Sequence, residues 1–257
     1  MFDYVRSTTM RHLAEDRLAV LERLLSKQGS VGVSALARKL NVSEMTVRRD
    51  LDKLSARGAV ARVHGGAVAQ GRLSFGARLE RGGRAKATAA AKLLPLVPSS
   101  GAIYLDGSTT VYQMVAQIGT RPGLIAATNN LDTFLALTRL PGVEPVLVGG
   151  ALNRATDNFV GPMARRVLDG LAFDLALFSA YAIDPLIGPS EPAAEDAEIK
   201  SYVCGRTRRV ALAVDAAKLG SRTSGAWSVP ADATLATDLD PRDPRLDPYR
   251  TRFPEII

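Results

Sequence analysis

Between residues 43 and 58 the apolar positions Val47, Leu51 and Leu54 recur at i, i+4 and i+7. That spacing predicts an amphipathic helix with one buried face. Ser43 precedes it as an N-cap, because its hydroxyl can satisfy a free N–H of the first turn. Gly58 suits a left-handed cap at its end. Upstream, Leu13, Arg17, Val20, Leu21, Leu24 and Leu25 form a second helical stripe that stops near Gly29. Val31 and Val33 then predict a short strand, and Ser34 a cap for a brief helix through Leu36, Ala37 and Leu40. A turn of about three residues separates that helix from the next, which is the helix-turn-helix order. After Gly58, "AVARVHGGAVA" alternates small apolar residues around Gly65 and Gly66, as in a β-hairpin. The front therefore reads as a winged helix-turn-helix.

The pattern changes from residue 101. Short apolar runs, "GAIYLD", "GLIAAT", "VEPVLV", "DLALFS" and "RVALAV", alternate with helical or polar stretches. Helices are expected around Ala85–Leu94, Val111–Ile118 and Leu131–Thr138. Strand–helix repetition predicts a mostly parallel sheet with right-handed crossovers. The polar segments after the strands then gather at its carboxyl edge, where open α/β sheets bind ligands. The basic, glycine-containing stretch between the two patterns places a boundary near residue 72. This gives a DNA-binding unit at 1–72 and an effector-sensing and oligomerisation unit at 73–257.

Composition changes this picture in two ways. The first hundred residues hold 18 Lys+Arg against 8 Asp+Glu, and the remainder 15 against 18. A basic front joined to a mildly acidic back suits a polyanion partner for the front alone. The single cysteine, Cys204, excludes an internal disulfide and a cysteine-based zinc site. His12 and His64 are the only histidines, which argues against histidine-rich metal or triad chemistry. No cofactor or metal is expected. "MFDYVRSTTMRHLAEDRL" lacks the apolar core of a signal peptide, and no apolar run approaches membrane-spanning length, so a cytoplasmic location is expected.

The candidate chemistry lies on the polar faces. Thr46, Arg49 and Lys53 share the helix face opposite the apolar one, with Arg48 beside them. In a helix-turn-helix that face enters the major groove. Thr46, Arg48 and Arg49 then meet base edges or phosphates, and which arginine does which stays open. Ser43, Glu44 and Lys53 complete the candidate set on this helix, with Arg62 and His64 on the wing. A solvated basic face on a core helix gives the same local pattern. In the back, "DGSTT" joins a glycine to three hydroxyls, Ser108, Thr109 and Thr110, at a helix start. Such a place attracts phosphate. A capped turn without a ligand looks the same. Neither a phosphate-binding Walker loop nor a dinucleotide fingerprint is present.

Two sets of motifs carry a resemblance. "VSEMTVRRDLDKLSARGAVARVHGGA" resembles the signature segment of the DeoR family of bacterial transcription regulators, and "GVSALARKLNVS" resembles the helix and turn before it. "LDGSTT", "ATNN", "VGGALNR", "VGPMA" and "ALAVDAAKLG" follow in the order of that family's sensor domain. The resemblance implies a sensor similar to the ribose-phosphate-isomerase and CoA-transferase fold that binds phosphorylated sugars or related metabolites. It implies that Asp106 binds a sugar hydroxyl and that Gly107 to Thr110 cradle phosphate. Thr128, Asn129 and Asn130 would line the floor, Gly149 and Gly150 permit close approach, Arg154 supply charge and Lys218 neutralise phosphate. Asp50, acidic on a DNA-facing unit, is expected to pair with and orient a basic neighbour such as Arg38, Lys39 or Lys53 and not to read a base. The chain departs from the family at "SAYAID", with Ser179 and Ala182 in place of glycines and a bulky Tyr181, and at Pro189 and Ser190. Those departures leave the sugar open.

The leading expectation is a sequence-specific regulator, a repressor of carbohydrate genes on the resemblance, acting as a dimer or tetramer on double-stranded operator DNA. The alternatives are a sugar-phosphate isomerase with a DNA-binding appendage, using Asp106, Asp184 or Asp215 as a base, and an architectural DNA-binding protein without an effector. No enzymatic acid–base pattern accompanies those aspartates, so a non-enzyme is expected.

Overall fold

A computed structural model describes residues 17–18, 20–21, 24–25, 30–56, 60–63, 65–69, 75–80, 82–154 and 156–257. The expected residues Leu13, Gly58 and His64 lie outside these, as does the side chain of Arg62. The chain forms two compact units, Met1–Arg81 and Gly82–Ile257.

In the first unit, helix Val33–Leu40 turns through Asn41, Val42 and Ser43 into helix Glu44–Ala56. Asn41 takes the left-handed conformation at φ 52°, which asparagine tolerates. Val47, Leu51 and Leu54 are fully buried with Leu18, Leu21, Leu25, Val33 and Leu36. The predicted apolar face is therefore the one that packs. Upstream, Leu18 joins this core whereas Val20 is exposed. Strands β1 (Ser30–Gly32), β2 (Val60–Val63) and β3 (Gly66–Ala69) form an antiparallel sheet in the order β1-β3-β2. Gly66 is dictated by close strand approach, since a Cβ there would lie 2.2 Å from the Val31 carbonyl oxygen.

Two expectations in this unit need correction. Helix Val33–Leu40 begins two residues earlier than expected, capped at Gly32 in place of Ser34, so Val33 is helical. Ser34 is then inside the first turn, and its hydroxyl donates to Glu44 Oε1 at 2.6 Å. Asp50 pairs with none of the three bases suggested. Arg17 grips it with Nε at 2.5 Å and Nη2 at 3.2 Å. Asp50 is 1% exposed, on the packed side of its helix.

The second unit is built on seven parallel strands: β4 (Gly101–Leu105), β5 (Leu124–Thr128), β6 (Val143–Leu147), β9 (Phe173–Phe178), β12 (Thr207–Ala213), β14 (Thr234–Ala236) and β15 (Glu255–Ile256). Their order is β15-β14-β12-β9-β4-β5-β6. Two antiparallel hairpins are added, β7 (Ala151–Asn153) with β8 (Asn158–Val160), and β10 (Ala182–Asp184) with β11 (Gly188–Glu191), the latter extended by β13 (Gly225–Ala226). Alternate residues of the central strands serve opposite faces. Tyr104, Ala176, Phe178 and Leu212 pack into one core, and Ile103, Leu105, Leu175, Leu177 and Ala211 into the other. Burial on both sides is why these strands read as unbroken apolar runs. Helices Gly83–Ala91, Thr109–Val115 and Leu131–Leu137 cover one face; Pro162–Asp169 and Ala194–Cys204 cover the other.

The chain winds outward from β4 through β5 to β6, then returns beside β4 as β9 and winds the other way. The loops after β4 and β9 therefore run in opposite directions, and the carboxyl ends of those two strands are the switch point where open α/β sheets form a ligand crevice.

Candidate functional site

The outward face of helix Glu44–Ala56 carries Glu44, Met45, Arg48, Arg49 and Lys53, all exposed. Ser43 caps it: its Oγ accepts from the Thr46 N–H at 3.1 Å and lies 2.9 Å from Thr46 Oγ1. Arg48 reaches back to Glu44 Oε2 at 3.4 Å, and Ser34 holds the other carboxylate oxygen. Arg49 makes no hydrogen bond or ion pair among the described residues. Met45, 60% exposed, was not anticipated from sequence; an apolar side chain between polar ones on this face is the signal.

The second constellation sits at the crevice. The Asp106 N–H donates to the Leu177 carbonyl at 3.0 Å, tying the ends of β4 and β9. The Asp106 side chain, 1% exposed, is committed to protein donors: Oδ1 accepts from the Ser108 N–H and Oδ2 from the Ser179 N–H, both at 3.0 Å. Lys200 Nζ stands 2.9 Å from Asp106 Oδ2 and donates to Glu191 Oε1 and the Ser179 carbonyl, both at 2.6 Å. Burial alone would lower the Lys200 pKa, but Asp106 and Glu191 outweigh it and raise it. Lys218 Nζ donates to the Ala180 carbonyl at 2.8 Å and Ser179 Oγ at 3.2 Å, with Asp215 at 3.7 Å. Burial pulls its pKa down, opposed by Asp215 and Glu191 and reinforced by nearby Lys200.

The hydroxyl loop lies beside this cluster. Ser108 Oγ accepts from the Val111 N–H at 3.1 Å as the N-cap of helix Thr109–Val115. Lys86, 8% exposed, donates to Thr109 Oγ1 at 3.2 Å. Thr110 Oγ1 is buried without a hydrogen-bond partner among the described residues. Gly107 is required by packing, because a Cβ there would come within 1.9 Å of Asn158 Oδ1 and 2.9 Å of Asn130 Cβ.

Other expected residues are engaged with protein. Thr128 Oγ1 accepts from the Asn130 N–H at 3.3 Å. Asn129 joins the Tyr104 hydroxyl at 2.8 Å to the Phe159 carbonyl at 3.0 Å. Asn130 caps helix Leu131–Leu137 and donates to Asn158 Oδ1 at 3.1 Å and the Asp157 carbonyl at 3.0 Å. Gly150 faces the Val160 carbonyl and Ala164, 2.7 and 3.0 Å from a notional Cβ. Gly149 is half-buried beside it, and Arg154 stands exposed in the turn between β7 and β8. That hairpin is tied through Asn153, Thr156 and Asn158 to Asp196, one turn before Lys200 on the same helix. Sequence reasoning missed Lys86, Glu191, Asp196 and Lys200. The available signal was spacing: Asp196 and Lys200 are i, i+4, interleaved with apolar Ala197, Ile199 and Val203.

Chemically, the crevice presents three lysines against three carboxylates, Asp106, Glu191 and Asp215. Lys86 and Lys200 are buried at 8% and 7%, whereas the Lys218 side chain keeps 20% exposure. Lys218 is thus the least buried of these three lysines. Among the described residues no group of three His, Cys, Asp or Glu side chains could hold a metal ion. No described helix is long and apolar enough to cross a membrane.

Comparison with known proteins adds the family. The chain is 28% identical over 214 residues to the HTH-type transcriptional regulator GlpR of Haloferax volcanii, covering 82% of this chain and 83% of that one. It is 29% identical over 212 residues to the lactose phosphotransferase system repressor of Staphylococcus epidermidis, covering 80% and 84%. It is 29% identical over 198 residues to the L-fucose operon activator of Haemophilus influenzae, covering 76% and 79%. Among solved structures, ribose 5-phosphate isomerase A of Methanocaldococcus jannaschii aligns over 52% of each chain at 13% identity with a TM-score of 0.38. Residues 17–72 match the DeoR-like helix-turn-helix domain and residues 83–229 the DeoR C-terminal sensor domain, so the chain belongs to the DeoR family of transcriptional regulators.

Proposed function

We propose that this protein is a cytoplasmic, non-enzymatic repressor of carbohydrate genes that leaves its operator when a phosphorylated sugar or related metabolite binds the sensor unit. The observation that carries this reading is the division of labour along the chain. A helix with three fully buried apolar anchors turns Arg48, Arg49 and Lys53 outward, and a separate crevice holds lysines beside a hydroxyl loop. On this reading residues 1–72 bind DNA, and residues 73–257 sense the effector and assemble the oligomer. Arg49, with no hydrogen bond or ion pair among the described residues, reads a base edge. Arg48 leans on Glu44 and serves phosphate. Met45 is placed for a thymine methyl, and Arg62 and His64 extend the contact from the wing.

In the sensor, Lys218 and the Gly107–Thr110 loop take the phosphate. Asp106 acts mainly through the loop and Lys200, its oxygens being already bonded. The second loop, Thr128–Asn130, supports that floor. A repressor relieved by ligand fits the relative named for a lactose system; the relative named as an activator makes the sign of regulation a matter for experiment. Ligand shifts the operator-competent population only by its differential affinity for the two states. Fluorescence anisotropy on DNA from upstream of neighbouring genes, titrated with phosphorylated sugars, tests the reading. Release by one of them is expected. Turnover of ribose 5-phosphate by the pure protein would favour the isomerase alternative instead.

A further inference from the structure

The Lys218 loop and the β10–β11 hairpin meet at a bridge between Ile183 and Leu219. The hairpin tip has little apolar anchorage, since Leu186 is 85% and Ile187 42% exposed. Asp184 Oδ1 closes the tip locally, accepting from the Leu186 and Ile187 N–H groups at 2.8 and 3.0 Å. A further tie between hairpin and loop, beside that bridge and the Thr223 N–H donated to Ser190 Oγ at 2.9 Å, comes from a distant part of the chain. Tyr249, 2% exposed, sits in the same core as Ile183 and Trp227. Its hydroxyl accepts from the Gly220 N–H at 2.6 Å and donates to the Ile183 carbonyl at 3.1 Å. Arg252 Nη2 donates to the Leu186 carbonyl at 2.6 Å. Its guanidinium lies against Gly188, at φ +94°, where a Cβ would stand 3.2 Å from Nη1. Both residues lie beyond the stretch 83–229 that matches the sensor family.

One hydroxyl thus bonds the loop two residues after Lys218 and the hairpin four residues after Ser179, whose Oγ Lys218 holds. The far end of that hairpin supplies Glu191 to Lys200. We propose that Tyr249, assisted by Arg252, is a positioning residue that sets Lys218 against the β10–β11 hairpin and so sets the affinity of the sensor for a phosphate-bearing ligand. The proposal rests on the reading of Lys218 as the anion-binding cation.

The test uses the full-length chain, with Tyr249→Phe retaining the buried ring. Acylation of Lys218 by acetic anhydride is followed by peptide mass spectrometry relative to exposed Lys39, with and without inorganic phosphate as the probe anion. Loss of the bridging hydroxyl should speed Lys218 acylation about threefold or more, the effect of one hydrogen bond. Phosphate should slow it in the wild type and be needed at several-fold higher concentration in the variant. Arg252→Gln, which removes only the hairpin tie, should show a smaller change in the same direction. Equal Lys218 rates in wild type and both variants, even with a lower Tm, would make Tyr249 a core residue only and overturn the proposal. A faster rate with unchanged phosphate protection would overturn its claim on affinity. Absence of protection in every chain would strike the anion site itself, and the unprotected rates would still decide the positioning claim.

Discussion

Lys218 and Lys200 are both lysines in one crevice, yet their surroundings assign them different work. Lys200 is enclosed between Asp106 and Glu191, so it holds structure. Lys218 is more exposed and only loosely paired with Asp215 at 3.7 Å, so on the proposed reading it is the one that meets ligand. Replacing Lys218 by Ala removes a charge-assisted bond of roughly 1.5–3 kcal/mol, a tenfold to hundredfold loss of effector affinity. Operator affinity without effector should not change, and calorimetry beside anisotropy would separate the two quantities. Lys200→Met should instead unfold the sensor more easily, by about 3–5 kcal/mol, because two buried carboxylates lose their counter-charge. In the wild type the folded-state pKa of Lys200 is raised, so its stabilisation is complete below the ordinary lysine value near 10.4 and is lost as pH rises through the folded value. Urea melts of wild type and Lys200→Met at neutral pH would show the deficit, and equal stability would contradict the ion-pair account.

At the scale of elements, the recognition helix was legible because one periodicity does two jobs. The i, i+4, i+7 stripe that buries Val47, Leu51 and Leu54 leaves the basic residues on the opposite side. Arg49→Ala should therefore cost roughly 1–3 kcal/mol on the specific operator and little on unrelated DNA. Arg48→Ala should weaken all sequences alike and flatten the salt dependence. Gel shifts at two salt concentrations would check both, and unchanged affinity in both variants would remove this helix from the interface. The central parallel strands were legible for a similar reason, being short apolar runs buried on two faces, whereas the two- and three-residue strands β15 and β14 were not expected. Less legible were contacts between elements distant in sequence. Asp50 meets Arg17, 33 positions away, across a helix pair whose register the sequence does not state. Lys200 meets Asp106 only because β9 returns beside β4, and in "AEIKSYV" it reads as a surface lysine. The polarity of the asparagines after β5 was visible in the sequence, whereas their partners Tyr104, Asn158 and Phe159 were not.

The whole molecule contains two units that each have their own core, residues Met1–Arg81 and Gly82–Ile257. A fragment of residues 73–257 should accordingly fold and bind effector without binding DNA. Circular dichroism and calorimetry on it would test the proposed boundary, and an insoluble or ligand-blind fragment from an active full-length chain would argue against it. Coupling between the units requires that effector distinguish operator-competent from operator-free arrangements, and the same free energy must appear in both bindings. The most direct measurement is therefore a titration of phosphorylated sugars, each beside its unphosphorylated counterpart, into the full-length protein on labelled operator DNA, followed by anisotropy. Release by at least one phosphorylated sugar, absent with its unphosphorylated form and lost in Lys218→Ala, is the predicted result. Release that ignores the phosphate, or that survives intact in Lys218→Ala, would contradict a regulator switched by an anion at the carboxyl edge of the sheet.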